Sequence, residues 1–542
     1  MSKSVSGREF QDLWGFPKKI QKFHLHFSTF QYSVFEGKIQ SERKFFSQFP
    51  TGVGIAFFRE CHYNEVSDEI WERMGKVMNT KAAQFFEMLK TKRVWVVGMG
   101  VSHFDLIKLF LQKGIDVTVV DRSTPEQIGE NYTALKELGA KFQLGEGYLD
   151  GLEEECDILF RTPGMYFHMD RLTQARKAGV VVTSEMECFF DLCPCKTYAV
   201  TGSDGKTTTT TLISEMLKAS GKKVWLGGNI GKALLPIIEQ VQPEDRAVVE
   251  LSSFQLLSMR QPVDVSVVTN LSPNHLNVHK TMEEYTWSKT NIFAHSNAFS
   301  KTVLNLDNDI TRSFAPQVRG RVAFFSRKEI PYEGSYLKED GMLCRVHKGK
   351  ATPILHMEDI KIPGMHNVEN YLTAIAAVSE EVSDEVIVQV AKTFGGVEHR
   401  IELVRTLDGV RYYNDSIATS PTRTIAGLRA FHQKLIVIAG GYDKHIPYEP
   451  LAKDVVERVK LLILLGATGP KIKAAVTGYE GYTPGNPEII TVNTLEEAVQ
   501  TAREHAVPGD VVTLSPASAS FDLYKNFEQR GHHFKKIVNS LE

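Results

Sequence analysis

The residues best suited to chemistry run Thr201-Gly202-Ser203-Asp204-Gly205-Lys206-Thr207-Thr208. They follow an apolar, strand-like stretch, Tyr198-Ala199-Val200-Thr201, and open a segment of helical length. Glycines let the backbone fold into a nest of N–H groups, and a helix N-terminus behind them adds positive potential for a phosphate. Lys206 is spaced to reach terminal phosphates and Thr207 to hold Mg²⁺. The loop is a shorter variety of G-x-x-x-x-G-K-[ST], because Val200 stands at the first glycine. A plain glycine turn before a helix would need neither the lysine nor the threonine run.

Three weaker signals surround it. Val248-Val249-Glu250-Leu251-Ser252-Ser253 ends an apolar strand on an acid. Beside a phosphate loop Glu250 suits a Mg²⁺ ligand, although alone it reads equally as a solvated strand end. The stretch 271–279 carries His275 and His279, which by themselves imply no more than a polar loop; the same holds for Lys289. Gly98-Met99-Gly100 follows the first strand, but His103 occupies the third glycine position of a dinucleotide turn, which disfavours a nicotinamide cofactor. A phosphate-bearing sugar nucleotide remains compatible with that turn and with Asp121 downstream.

Positioning these groups takes alternating strands and helices. Strand-like segments occur at 94–97, 117–120, 157–160 and 180–183, then at 198–201, 247–250 and 265–270, before a helix around 370–378. A third block follows at 435–439, 461–465 and 511–514. Such alternation predicts α/β architecture with parallel sheets covered on both faces. Ligands then sit at the carboxyl ends of strands, where the motifs above fall.

The whole chain, 542 residues, suggests three to four domains at about 150 residues each. A formal net charge of −2 argues against a broad nucleic-acid surface. The six cysteines lie at 61, 156, 188, 193, 195 and 344. Cys193-Pro194-Cys195 has Cys188 nearby but no second ligand pair at zinc-finger spacing, so free thiols in a reducing cytosol are expected. With no apolar run long enough to span a bilayer and no signal-peptide pattern, the expected location is cytoplasmic. Residues 1–77 hold 11 of the 31 phenylalanines but only two leucines, and show no periodicity. They are open to reading as an accessory segment, a disordered tail, or sequence upstream of the true start; the last is favoured, with Met74 and Met78 as starts.

Taken together the motifs resemble the Mur ligase family. The carriers are TGSDGKTTTT, GGNIG at 227–231, VVELSSFQL, NLSPNHLNVH, GMHNVEN, EHR at 398–400, YYNDSIATSP, AGGYDK and LSPASASFDLYKNFEQRG. The similarity covers roughly residues 92–542. It implies three domains. A Rossmann-like UDP-substrate domain spans 91–188, a central P-loop-type mononucleotide-binding ATPase domain spans 189–396, and a Rossmann-like amino-acid-binding domain spans 397–542. It also implies an ATP-dependent ligase that adds D-glutamate to UDP-N-acetylmuramoyl-L-alanine through an acyl phosphate, in peptidoglycan precursor synthesis. The expected enzyme is a monomer, with no nucleic-acid or membrane partner.

Carried over by position, the resemblance makes Lys206, Glu250, His275 and Lys289 catalytic, and Thr207, Glu250, His275 and Lys289 ligands of two Mg²⁺ ions. Lys289 corresponds to a lysine that is carbamoylated. ATP falls to Gly202, Ser203, Asp204, Gly205, Lys206, Thr207, Thr208, Asn367, Asn370, Arg400 and Asp415. The UDP substrate falls to Gly100, Ser102, Asp121, Thr162, Asn229 and Ser252, and D-glutamate to Thr419, Lys444, Ser520 and Phe527. Four departures stand out. Ile417 replaces a lysine of the family pattern, Asn274 and Asn277 replace acids, and Ser203-Asp204 replaces Thr-Asn. A sister ligase or a folate polyglutamylating enzyme is the alternative within the family, but the Asp-Asn-Pro-Arg motif of the diaminopimelate-adding type is missing. A non-catalytic nucleotide-binding protein is the alternative outside it.

Overall fold

The computed structural model describes residues 79–100, 103–272, 279, 281–443 and 446–542. The expectations for residues 1–77, including the starts at Met74 and Met78, lie outside the described residues, as do Ser102, Asn274, His275, Asn277 and Lys444.

Three sheets succeed one another along the chain. The first contains β1 (Val94–Val97), β2 (Val117–Asp121), β3 (Lys141–Leu144), β4 (Ile158–Phe160) and β5 (Val181–Thr183), all parallel, in the order β3-β2-β1-β4-β5. Its central strand, VWVV, is buried along its whole length, as a parallel strand covered on both faces must be. The amphipathic helix Thr80–Leu89 buries Ala82, Phe86 and Leu89 in the same core. This helix precedes the domain start expected at residue 91.

The second sheet contains β6 (Lys196–Thr201), β7 (Val224–Gly228), β8 (Arg246–Glu250), β9 (Val265–Val268), β10 (Lys301–Asn305), β11 (Arg321–Ser326), β12 (Glu333–Leu337), β13 (Met342–His347) and β14 (Lys350–His356). Their order is β14-β13-β12-β11-β10-β9-β6-β8-β7, parallel from β7 to β12 and closed by an antiparallel meander through β14. The helices Lys206–Ala219 and Met365–Val378 pack together in a core with Val200, Val248 and Val267. The second of them is buried from Asn367 to Val378 except at Glu369, which marks it as a core helix. The threonine run opening the first is compatible with a helix because the Thr210 and Thr211 hydroxyls each donate back to a carbonyl four residues earlier, at 2.8 Å.

One apolar cluster runs without a break from the first sheet to the other face of the second, through Val94, Phe160, Phe189, Ala199 and Val249. The helix Glu185–Leu192 lies in this shared core and buries seven of its residues. The expected boundary at 188/189 lies within that helix, and residues 193–195 are the joint that links it to β6 of the second sheet.

The third sheet contains β15 (Glu402–Leu407), β16 (Val410–Asn414), β17 (Leu435–Gly440), β18 (Val459–Leu465), β19 (Glu488–Thr491) and β20 (Val511–Leu514), in the order β15-β16-β20-β17-β18-β19. Only the β15–β16 hairpin is antiparallel.

Candidate active site

The loop after β6 is clamped by the segment after β9. The Ser203 and Asp204 amides donate to the Asn270 carbonyl at 2.8 Å and to its Oδ1 at 3.0 Å, and the Thr269 hydroxyl donates to the Asp204 carbonyl at 2.6 Å. The approach is close enough that a Cβ on Gly202, whose φ is +147°, would overlap the Thr269 hydroxyl. Gly205, at φ +76°, caps the following helix in the left-handed region, and a Cβ there would overlap Asn370 Oδ1. Asn370 accepts from the Thr209 hydroxyl at 3.2 Å and donates to Asn367 Oδ1 at 3.1 Å. Both asparagines therefore lie against the first turn behind the loop, while Thr207 is half-buried in that turn.

Three charged side chains converge here. Lys206 Nζ donates to the carbonyls of Gly202 at 3.0 Å and Ser203 at 2.9 Å. Burial holds its pKa below the usual lysine value, against the pull of Glu250 and Asp204. Lys289, on the helix Met282–Ala294 and only 2% exposed, donates from Nζ to Thr201 Oγ1 at 2.8 Å and to the Gly202 carbonyl at 3.0 Å. Burial first, and the neighbouring Lys206 second, hold its pKa well below the usual value, with Glu250 opposing. Glu250 ends β8 level with Val200 of β6 and is 1% exposed. Its Oε1 accepts from Asn229 Nδ2 at 2.8 Å, while its Oε2 has no hydrogen-bond partner among the described residues. A buried carboxylate oxygen without a donor is costly unless a cation meets it. A carboxylate oxygen of this kind suits a hard divalent ion.

The third unit brings up Arg400 and Asp415. Asp415, just past β16, is buried; its Oδ2 accepts from the Ser515 hydroxyl at 2.8 Å and its Oδ1 from the Ile401 amide at 3.3 Å. Burial pushes its carboxyl up to about 7, with Ser515, Arg400 and Arg423 opposing. His399 and Ile401 hold φ values of 64° and 45° without being glycine, a strained path into which Arg400 is inserted. Half-buried Arg400 feels the charges of Glu250, Asp415 and Asp204.

Sequence reasoning passed over Arg423. It sits in the first turn of the helix Pro421–Arg429 and donates from Nη1 to the Ile417 carbonyl at 3.2 Å. Its charge is felt at Lys206, Arg400 and Asp415. The signal was the loss of a cation at Ile417 with an arginine six residues on.

The other predicted sets lie elsewhere. Gly100 follows β1, Asp121 ends β2 and Thr162 follows β4, so all three fall at carboxyl ends of the first sheet. His103, where a third glycine was looked for, is buried with Nδ1 2.8 Å from the Val97 carbonyl and fills the strand–helix junction. Ser252 caps the short helix Ser253–Leu256. Thr419 follows β16, buried Ser520 follows β20, and Phe527 opens the helix Phe527–Ser540. Arg530 of that helix was also not singled out. It donates to the carbonyls of Ser416, Ser518 and Ala519 at 2.9–3.1 Å and so ties the Thr419 and Ser520 loops together. Among the described residues, no hydrogen bond links Gly100, Asp121 or Thr162, or Thr419, Ser520 or Phe527, to the phosphate loop. His279 has a supporting place, stacked on Phe254 at 5.2 Å and paired through Nε2 with the Ser253 hydroxyl at 2.9 Å.

Residues 200–378 match the family described as the Mur ligase middle domain, and residues 399–518 match the Mur ligase glutamate ligase domain. The chain is 53% identical to the UDP-N-acetylmuramoylalanine–D-glutamate ligase of Acetivibrio thermocellus, over 86% of this chain and 100% of that protein. It is 51% identical to the protein of the same name from Clostridium beijerinckii, over 84% of this chain and 99% of that one. Among solved structures, UDP-N-acetylmuramate–alanine ligase from Thermotoga maritima superposes with a TM-score of 0.52 at 17% identity, covering 83% of this chain and 99% of that one. That is a likeness of fold.

Proposed function

This chain belongs to the Mur ligase family, and on that premise we propose that it joins D-glutamate to UDP-N-acetylmuramoyl-L-alanine at the expense of ATP. The observation that carries the reading is the convergence of Lys206, Lys289 and Glu250 on the loop after β6, faced by Arg400. Identity near one half to D-glutamate ligases over nearly their whole length supports the choice of amino acid.

Forming an amide from a carboxylate requires a leaving group. The alanyl carboxylate attacks the γ-phosphorus, ADP departs, and an acyl phosphate results; the amine of D-glutamate then attacks the carbonyl and inorganic phosphate leaves. The first step brings two anions together, so positive charge must be fixed in place beforehand. In this reading Lys206 moves from the loop carbonyls to the terminal phosphate oxygens. The amides of 202–208 cradle the phosphate chain, while Asn367, Asn370, Arg400 and Asp415 hold the rest of the nucleotide. Thr207, Glu250, His275 and a carbamate on Lys289 would hold two Mg²⁺ ions, which would supply neutralisation of the phosphate charge. Arg423 adds a cation on the side where Ile417 offers none.

Gly100, Ser102, Asp121, Thr162, Asn229 and Ser252 bind the UDP-sugar, and Thr419, Lys444, Ser520 and Phe527 bind D-glutamate, whose two carboxylates suit a lysine and hydroxyls. The first sheet then serves the UDP-substrate, the second ATP and the third the amino acid. Their sites must close together to react and to exclude water from the acyl phosphate. No helix among the described residues is long and apolar enough to cross a membrane. We place the protein in the cytoplasm as a monomer working on soluble substrates, and read residues 1–77 as dispensable.

The test is an amino-acid panel. Purified protein with ATP, Mg²⁺ and UDP-N-acetylmuramoyl-L-alanine should release phosphate only when D-glutamate is added, equally for the full chain and for a chain starting at Met78. Equal turnover with L-lysine or diaminopimelate would overturn the amino-acid assignment.

A further inference from the structure

The joint between the first and second units carries two thiols that the ligase reaction does not use. Cys193 ends the helix Glu185–Leu192, its amide donating to the Phe189 carbonyl at 2.8 Å. Pro194 follows, and a residue before proline is held extended. Cys195 leads directly into β6. The joint is pinned on both sides. Asn79 Nδ2 donates to the Leu192 carbonyl at 2.8 Å, and the Thr197 amide and hydroxyl donate to Asp264 Oδ2 at 2.8 and 2.9 Å. Within this frame the two sulfur atoms lie 3.6 Å apart, in hydrogen-bond contact. Cys195 is buried and Cys193 half-buried, so a small reagent reaches the pair from the Cys193 side.

We propose that Cys193 and Cys195 form a reversible dithiol–disulfide site that takes hydrogen peroxide as its oxidant. The sulfurs need approach each other by only about 1.5 Å to reach bonding distance. The thiol of Cys195, shared with Cys193, holds the Cys193 thiol below its ordinary pKa and raises its own, which makes Cys193 the nucleophile. Asp264 and Asp245 act against thiolate formation at Cys193, so an unpaired sulfur there would react poorly. The Cys193 thiolate attacks one peroxide oxygen, the O–O bond breaks, and hydroxide leaves and takes up a proton to become water. The resulting sulfenic acid is attacked by the Cys195 sulfur. The S–O bond breaks, a second water leaves with the Cys195 proton, and the S–S bond closes. Two thiols have lost two electrons and two protons to one peroxide, and a dithiol reductant reverses the change by exchange. The other described cysteines are placed differently. Cys156, Cys188 and Cys344 are buried, and burial pushes each thiol up, Cys156 and Cys188 to about 12.

The experiment uses the full chain, reduced and freed of reductant, treated with a small excess of hydrogen peroxide, then denatured and alkylated with N-ethylmaleimide. Trypsin releases residues 178–196 as one peptide holding Cys188, Cys193 and Cys195. The expected peptide carries one maleimide instead of three and lacks two hydrogen atoms, and dithiothreitol given before alkylation restores all three labels. Cys193→Ser and Cys195→Ser abolish the loss, and Cys188→Ser leaves it intact. Three labels retained after peroxide, a sulfinic acid on Cys193 without a bridge, or a bridge that needs Cys188 would each overturn the proposal. The readout is a mass, so it stands apart from whether the amino-acid assay succeeds.

Discussion

Lys206 and Lys289 donate to the same acceptor, the carbonyl of Gly202, each at 3.0 Å. Two ammonium groups sharing one carbonyl repel each other, and the more deeply buried of them, Lys289, is the one driven toward its neutral form. A neutral amine is the form that adds CO₂, and a carbamate formed on Lys289 would turn a misplaced cation into an anionic oxygen ligand. Lys289→Ala should lower ligase turnover roughly hundredfold or more, the scale of losing a charge-stabilising group. Short carboxylic acids added to that variant should restore part of the rate, and wild-type activity should rise with bicarbonate. An unrescued variant together with bicarbonate-independent wild-type enzyme would remove the carbamate from the mechanism.

Gly202 offers a test of the loop that leaves its charges alone. Its φ of +147° and the crowding by the Thr269 hydroxyl and the Asn270 backbone leave no room for a methyl group. Gly202→Ala should cost about 1–3 kcal/mol of stability and displace the Gly202 carbonyl on which both lysines rest. The expected result is lost ATP turnover in a protein that still unfolds cooperatively in urea. Wild-type turnover would show that the strap to Thr269 and Asn270 does not set the loop geometry.

How much of this was legible beforehand follows from where residues sit in the sheets. Central strands such as VWVV at 94–97 and VVTL at 511–514 are buried end to end and announce themselves as apolar runs. Lys141–Leu144 is an edge strand with one exposed and three half-buried residues, and so carries no such signature. β10 hid for another reason. KTVLN is fully buried, yet it opens on a lysine whose ammonium is satisfied by the Ala376 carbonyl at 3.1 Å and Ser379 Oγ at 3.2 Å, partners some 75 residues away that no local pattern contains. Within the site, the loop was nameable because chemistry fixes its residue types, whereas Glu250 drew its weight from the loop beside it and Lys289 only from the family resemblance. Arg530 acts through carbonyls brought near only by folding, so spacing gave no hint of it, and the one hint of Arg423 was the missing cation at Ile417 six residues before it.

Arg423 makes its own prediction. Its guanidinium rests on the Ile417 carbonyl and its charge reaches Lys206, Arg400 and Asp415. Arg423→Ala should reduce kcat/KM by roughly tenfold to a hundredfold, in the range for removing one electrostatic donor from a phosphoryl-transfer site. Adding Ile417→Lys to that variant should return most of the loss, because the cation reappears on the same loop. Wild-type kinetics for Arg423→Ala, or no recovery in the double variant, would separate Arg423 from the reaction.

The last prediction concerns the joint between the first two units and its dependence on pH. Glu185, at the start of the helix Glu185–Leu192, is buried and accepts on Oε1 from the Leu234 amide at 2.8 Å and the Leu235 amide at 2.7 Å. Burial outweighs those two donors and raises its pKa from 4.5 to about 7. A carboxyl raised in the folded state favours folding in its protonated form. Its contribution is therefore complete below about pH 4.5 and is lost as pH rises through about 7. Glu185→Gln keeps an acceptor for both amides and cannot ionise. Between pH 5 and pH 8 the stability of wild type should fall relative to that variant by about 2–3 kcal/mol, at 1.36 kcal/mol per pKa unit. Asp415, also raised to about 7, is present in both proteins and cancels in the difference. Urea unfolding of the two proteins at both pH values measures it. A difference that does not change with pH would mean that Glu185 stays ionised in the fold, held by its two amide donors against the cost of burial.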